Sequence, residues 1–232
     1  FFLLSVIYFK RAFIKGEKDL PEKSFLLTFD DGRKDSYYPA DPLLKLLDYR
    51  AVIFIITENS LENKENVFHL SKNELKQMIR TGRWDLEAHT HSGHEVYKID
   101  ETGKEGHFYT NKLWLEDKNR LETEDEFITR IKSDLITAKN KLERDLGIKV
   151  VSFAYPFGDF GQNSVNFPKA EPILKNMVKS IYPISFYQVW PSQGFSSNYP
   201  DKNSSLFERI NVSPEWSGED ILKNLEITGE IT

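Results

Sequence analysis

The 232-residue chain has no cysteine. Disulfide scaffolds, zinc–thiolate centres and thiol nucleophiles are therefore excluded. An excess of positive charge is missing too: 31 Lys and Arg stand against 36 Asp and Glu, a formal net charge of -5, and no long basic run occurs. This is not the electrostatic footprint of a nucleic-acid binder, and it gives no attraction to anionic lipid. Long apolar runs are scarce. The opening stretch from Phe1 to Phe9 is apolar, but it is too short to span a bilayer and lacks the layout of a signal peptide. It reads as a buried helix or strand. Because position 1 is not Met, the numbering reads as a fragment of a longer chain, so any membrane association would run through a missing N-terminal segment. Internal repeats and low-complexity stretches are absent.

What is present suits one sizeable core. Apolar residues make up 39% and charged residues 29%, which is the balance of a folded domain rather than a disordered one. The length fits a single domain over 1–232 of the larger α/β kind.

The pattern along the chain alternates. Ser24 to Phe29 reads as a strand running into Asp30-Asp31-Gly32, and a helix-like stretch lies around Pro42 to Leu47. The β-branched run Val52 to Ile56 reads as a strand buried on both faces. Ser71 with Glu74 forms a capping box, Leu70 and Leu75 are placed for a hydrophobic staple, and Gly82 supplies a stop. Trp84 to Ala88 reads as the next strand, leading into His89-Thr90-His91-Ser92-Gly93-His94. Thr123 with Glu126 opens a long helix that ends at Gly147, and Val150 to Ala154 is a further strand before Tyr155-Pro156-Phe157-Gly158. Strands alternating with helices imply a parallel sheet. The Asp pair, the His cluster and the Tyr-Pro-Phe-Gly turn each follow a strand's C-terminal end. In a parallel barrel those ends share one face, where catalytic groups collect.

Adjacent residues of a regular strand point to opposite faces, so Asp30 and Asp31 share a site only where the strand has ended. Gly32 permits the turn this needs. One carboxylate can then hold a metal while its neighbour takes a proton. Three of the five histidines lie between positions 89 and 94. His89 and His91 are spaced for one face of a strand, and His91 and His94 for one face of a helix. His89 and His94 need an irregular turn, which Gly93 helps to provide. Two imidazoles and a carboxylate leave coordination positions for water and substrate, as a hydrolytic centre requires.

These segments resemble the NodB-homology polysaccharide deacetylases, carbohydrate esterase family 4. Thr28-Phe29-Asp30-Asp31-Gly32 looks like the family's first motif, His89 to His94 like the second, and Phe153 to Gly158 like the third. The resemblance covers about residues 20–160, including Leu20-Pro21-Glu22-Lys23. It is nearest the biofilm-type deacetylases of poly-N-acetylglucosamine, whose second motif also has four residues between its histidines. It implies a distorted (β/α) barrel of about seven parallel strands. It also implies one divalent metal ion, zinc in the first instance, held by Asp31, His89 and His94 with His91 outside the set. Asp30 becomes the general base, and the backbone N–H of Phe157 a donor to the oxyanion. Tyr155, Pro156 and Arg209 are the candidate substrate contacts, Arg209 also as a support for the carboxylates.

The chain departs from the family pattern in three places. It has no His after His107, so the Leu-x-His motif that supplies the acid in many members is absent. The Asp- and Trp-containing motif is not recognisable, and Ala154 stands where many members carry an Arg. His107, in a loop after the second motif, is a candidate for the missing acid, whereas His69 reads as a surface or packing residue. The resulting expectation is an enzyme that removes acetyl groups from an N-acetylhexosamine polysaccharide outside the cytoplasm, at a cell surface or in a matrix. The rival readings are an O-acetyl esterase, a small-amide hydrolase, and a glycan-binding module that has lost activity.

Overall fold

The computed structural model describes residues 2–17, 19–21, 24–62, 67–190, 193–194, 197–201 and 203–227. Its centre is one six-stranded sheet: β1 (Thr28–Phe29), β2 (Ala51–Ile56), β3 (Trp84–Thr90), β4 (Ser152–Ala154), β5 (Ile184–Val189) and β6 (Leu206–Ile210). The strands lie in sequence order and every pairing is parallel. That order is the one a (β/α) barrel requires, with six strands in the sheet against the seven or so expected. The expected strand over Ser24 to Phe29 divides. Ser24–Phe25 pairs in parallel with Phe2–Leu3, and only Thr28–Phe29 joins the sheet.

The helices are α1 (Lys34–Leu47), α2 (Lys72–Thr81), α3 (Glu124–Leu146), α4 (Ala170–Ile181) and α5 (Gly218–Ile227). α2 and α3 start at complete capping boxes, Ser71 with Glu74 and Thr123 with Glu126, and both stop at left-handed glycines, Gly82 and Gly147. Leu70 and Leu75 are fully buried at the start of α2, as the staple demands. α1 is longer than its apolar stretch suggested, with Pro39 and Pro42 inside it.

Alternation along the strands builds two cores. Ile53, Ile55, Leu86 and Ala88 face outward into the layer packed with α2, α3 and α4. Val52, Phe54, Ala154 and Phe186 face inward. There they meet the N-terminal segment, a short helix Val6–Phe9 continued by a π-helical stretch Lys10–Lys15. Phe9 and Phe13 stack at 4.1 Å, and Phe9 meets Phe207 edge-on at 5.0 Å. Leu4, Val6, Phe9, Ala12 and Phe13 thus plug the inside of the curl, anchored by Val6 N–H donating to Asp85 at 2.7 Å. Among the described residues no helix is long and apolar enough to cross a membrane.

The inward positions of β3 are Asp85, Glu87 and His89, a polar column in an apolar interior. Glu87 is 3% exposed and accepts from the N–H groups of Val151 and Ser152 at 2.9 and 2.7 Å. Burial pushes its carboxyl up to about 8. Its two backbone bonds hold the start of β4 against β3 and so set the height at which the next loop leaves the sheet.

Candidate active site

The curl brings the first and last strands together. A flat sheet would separate β1 from β6 by roughly 24 Å at the usual strand spacing. Instead Arg209 of β6 donates to the Thr28 hydroxyl at 2.8 Å and to both Asp30 oxygens at 2.9 Å. Gln188 of β5 is the register partner of Arg209 and adds a bond to Asp30 at 2.6 Å. The Arg209 guanidinium also lies 5.0 Å from the centre of the Phe54 ring. Burial works to raise the Asp30 carboxyl, but the Arg209 charge and its hydrogen bonds outweigh it and hold the group below the usual carboxylate range.

Asp31 takes the left-handed backbone region, φ 68°, and Gly32 follows at 72°. This double turn folds the two adjacent carboxylates into one site, the arrangement a continuing strand forbids. Asp31 Oδ1 is buried and has no hydrogen-bond partner, yet it faces Nε2 of His89 at 3.4 Å and Nε2 of His94 at 3.5 Å. His89 Nδ1 lies 2.7 Å from the Ala154 carbonyl. A carbonyl only accepts, so Nδ1 carries the proton and Nε2 keeps its lone pair for the site.

His91 turns away from this cluster. Its Nδ1 pairs with the Thr57 hydroxyl at 3.0 Å, beside Glu58 and Glu62. Gly93 allows the irregular loop for a steric reason rather than through a left-handed backbone. A Cβ there would lie 2.5 Å from the Tyr109 ring and 2.7 Å from the Phe108 ring.

Asp134 escaped the sequence reading. It sits on the buried face of α3, 6% exposed, and accepts from His91 N–H, Ser92 N–H and the Tyr109 hydroxyl at 2.9, 2.8 and 2.5 Å. The loop between His89 and His94 is thereby tied to a helix. The signal was present: a lone acid among the apolar positions Ile131, Leu135 and Ala138.

In the third segment Phe157 has φ 58°, a left-handed backbone uncommon for a bulky residue. Its ring lies between two imidazoles, 4.4 Å from His94 and stacked 4.3 Å from His107. Tyr155 is 1% exposed and packs into the core, while Pro156 is buried. Of the three candidate substrate contacts, Tyr155 has its ring in the core and Arg209 faces Asp30. His69 bridges Arg33 on the backbone, and its side chain approaches Asn59 at 3.5 Å.

Comparison with known proteins gives the family and the fold. The polysaccharide deacetylase family model matches residues 17–170, and the chain belongs to that family. A poly-beta-1,6-N-acetyl-D-glucosamine N-deacetylase of Staphylococcus aureus (strain MRSA252) is 39% identical over 97 residues, covering 41% of this chain and 32% of the relative. Its namesake in Escherichia coli (strain K12) is 26% identical over 156 residues, covering 62% of this chain and 23% of the relative. The chain therefore spans a third or less of the length of these relatives. Among solved structures, a de-N-acetylase from Aggregatibacter actinomycetemcomitans superposes with a TM-score of 0.75 at 20% identity, covering 96% of this chain and 82% of that one. IcaB from Ammonifex degensii gives 0.64 at 22% identity, covering 95% and 80%. These two likenesses concern the fold.

Proposed function

We propose that the chain hydrolyses N-acetyl groups of an N-acetylhexosamine polysaccharide, poly-beta-1,6-N-acetylglucosamine first among them, releasing acetate. The setting proposed is extracytoplasmic, at a cell surface or in a secreted matrix, in keeping with a polymeric substrate. The observation that carries the reading is the buried, unpartnered Oδ1 of Asp31 facing the Nε2 atoms of two imidazoles. A carboxylate and two neutral imidazoles are the donor set of a borderline divalent cation, zinc above all. Bound there, the ion would supply Lewis-acid polarisation and a more acidic water.

The protein's own groups account for the remaining steps. Asp30, kept ionised by Arg209 and oriented by three hydrogen bonds, removes a proton from the attacking water. The backbone N–H of Phe157, in its left-handed turn, donates to the oxygen of the acetyl group as negative charge develops there. The C–N bond breaks, acetate departs, and the sugar retains a free amine.

Acetate release from N-acetylglucosamine oligomers tests the reading, comparing zinc-loaded protein with chelated protein and with Asp30→Asn, His94→Ala and His91→Ala. Activity is expected to require metal, to be lost in the first two variants and to survive in the third. Metal binding without acetate release would mean an ester substrate or a glycan-binding role.

A further inference from the structure

The geometry points to His107 as the acid that protonates the departing amine, with Asp159 as its positioning residue. The inference rests on the deacetylase reading and supplies the proton that reading lacks. Hydrolysis of an amide needs two transfers, one from the attacking water and one to the leaving nitrogen. Asp30 serves the first. It is held from the β5–β6 side of the site by Gln188 and Arg209.

His107 comes from a different element. It ends a two-stranded hairpin, Val96–Lys98 paired with Glu105–His107, in the chain between β3 and β4. Its ring stacks on Phe157 with only 13° between planes, and Phe157 in turn meets His94. The three rings form one wall beside the cluster of Asp31, His89 and His94. The wall borders the cluster through His94, whereas the base is gripped from β5 and β6.

The imidazole is held in a defined proton state. Its Nδ1 lies 2.8 Å from Oδ2 of Asp159, which is 1% exposed. Asp159 also accepts from the Thr110 hydroxyl at 3.1 Å and from Gly161 N–H at 3.1 Å. Burial works to raise this carboxyl, but His107 and the other donors outweigh it, so it is ionised and only accepts. Nδ1 therefore carries its hydrogen, and the exchangeable proton belongs to Nε2. A buried carboxylate behind an imidazole fixes the orientation and tautomer of the ring. The His107 side chain is 35% exposed, so it remains open to substrate.

The proton count closes. Asp30 gains one proton from the water, and Nε2 of His107 gives one to the amine nitrogen, directly or through one water. The C–N bond breaks with its electron pair on nitrogen. Solvent then returns Asp30 and His107 to their starting states.

The experiment compares two acetyl donors on zinc-loaded wild type, His107→Gln and Asp159→Asn. One is an N-acetylglucosamine oligomer. The other is p-nitrophenyl acetate, whose phenolate leaves without protonation. The expected result for His107→Gln is a loss of about 100-fold or more in amide turnover, with ester turnover within a few-fold of wild type. Asp159→Asn should show the same selectivity with a smaller loss. Ester turnover also reports that each variant is folded. Equal losses on both donors would overturn the proposal and make His107 a prop for Phe157. Unchanged amide turnover, or a rise in KM alone, would overturn it as well. A wild type that cleaves the ester but never the amide would instead sink the deacetylase reading.

Discussion

Both terminal nitrogens of Arg209, in the last strand of the sheet, lie 2.9 Å from the two oxygens of Asp30, at the end of the first strand. The pair does two jobs: it closes the curl of the sheet across its edges and fixes the proposed base. Side-chain exposures of 9% and 18% place it well inside the protein.

Removing one partner of such a pair leaves the other buried and uncompensated. Arg209→Met should therefore lose about 3 kcal/mol of stability, read by urea denaturation. The double variant Arg209→Met with Asp30→Asn should recover most of that loss, because no orphan charge remains, but should have no activity. Recovery of less than half would mean that Arg209 stabilises through its packing on Phe54 rather than through Asp30.

The loop between His89 and His94 is held from two sides, by Asp134 through backbone N–H groups and by the Tyr109 and Phe108 rings against Gly93. Asp134→Asn and Gly93→Ala should each weaken zinc binding about 10- to 100-fold, the range for losing a support behind metal ligands. Isothermal titration calorimetry reads this directly. His91→Ala should bind zinc as wild type does, since His91 faces Thr57. A tight-binding Gly93→Ala variant would show that the loop yields to the added methyl group at no cost to the site.

The capping box of α2 gives a pH-dependent term remote from the site. Burial works to raise Glu74, but the Ser71 and Tyr38 hydroxyls, the Ser71 N–H and Lys34 outweigh it, and its carboxyl sits at about 2 against an ordinary 4.5. A carboxyl lowered on folding stabilises the native state fully above its unfolded value, and that stabilisation fades as pH falls toward the folded one. Wild type should exceed Glu74→Gln by about 1 kcal/mol at neutral pH. The gap should narrow between pH 4.5 and 2, as followed by thermal denaturation at each pH. A gap of constant size would assign the effect to packing instead.

Much of the architecture was legible in the chain itself. Both capping boxes, both terminating glycines and the buried β2 run depend on residues within a few positions of one another, and each element formed where its pattern lies. The three motif segments also sit at strand ends, as their order implied. The limits of local reading are visible at Ser24 to Phe29, one apolar run that divides because its halves find different partners, Phe2–Leu3 and β2.

The sequence by itself determined the parallel α/β plan through local periodicity, and its short motifs carried the resemblance to the polysaccharide deacetylases that implied the grouping of Asp31, His89 and His94. Tertiary structure alone decided that Arg209 grips Asp30 across 179 positions, that Asp159 backs His107 across 52, and that Asp134 ties down the His loop. It also turned Tyr155 into the core and His91 toward Thr57. These contacts depend on how far the sheet curls and on the register in which its strands meet. Both are set by packing over the whole domain, which no short stretch of sequence encodes.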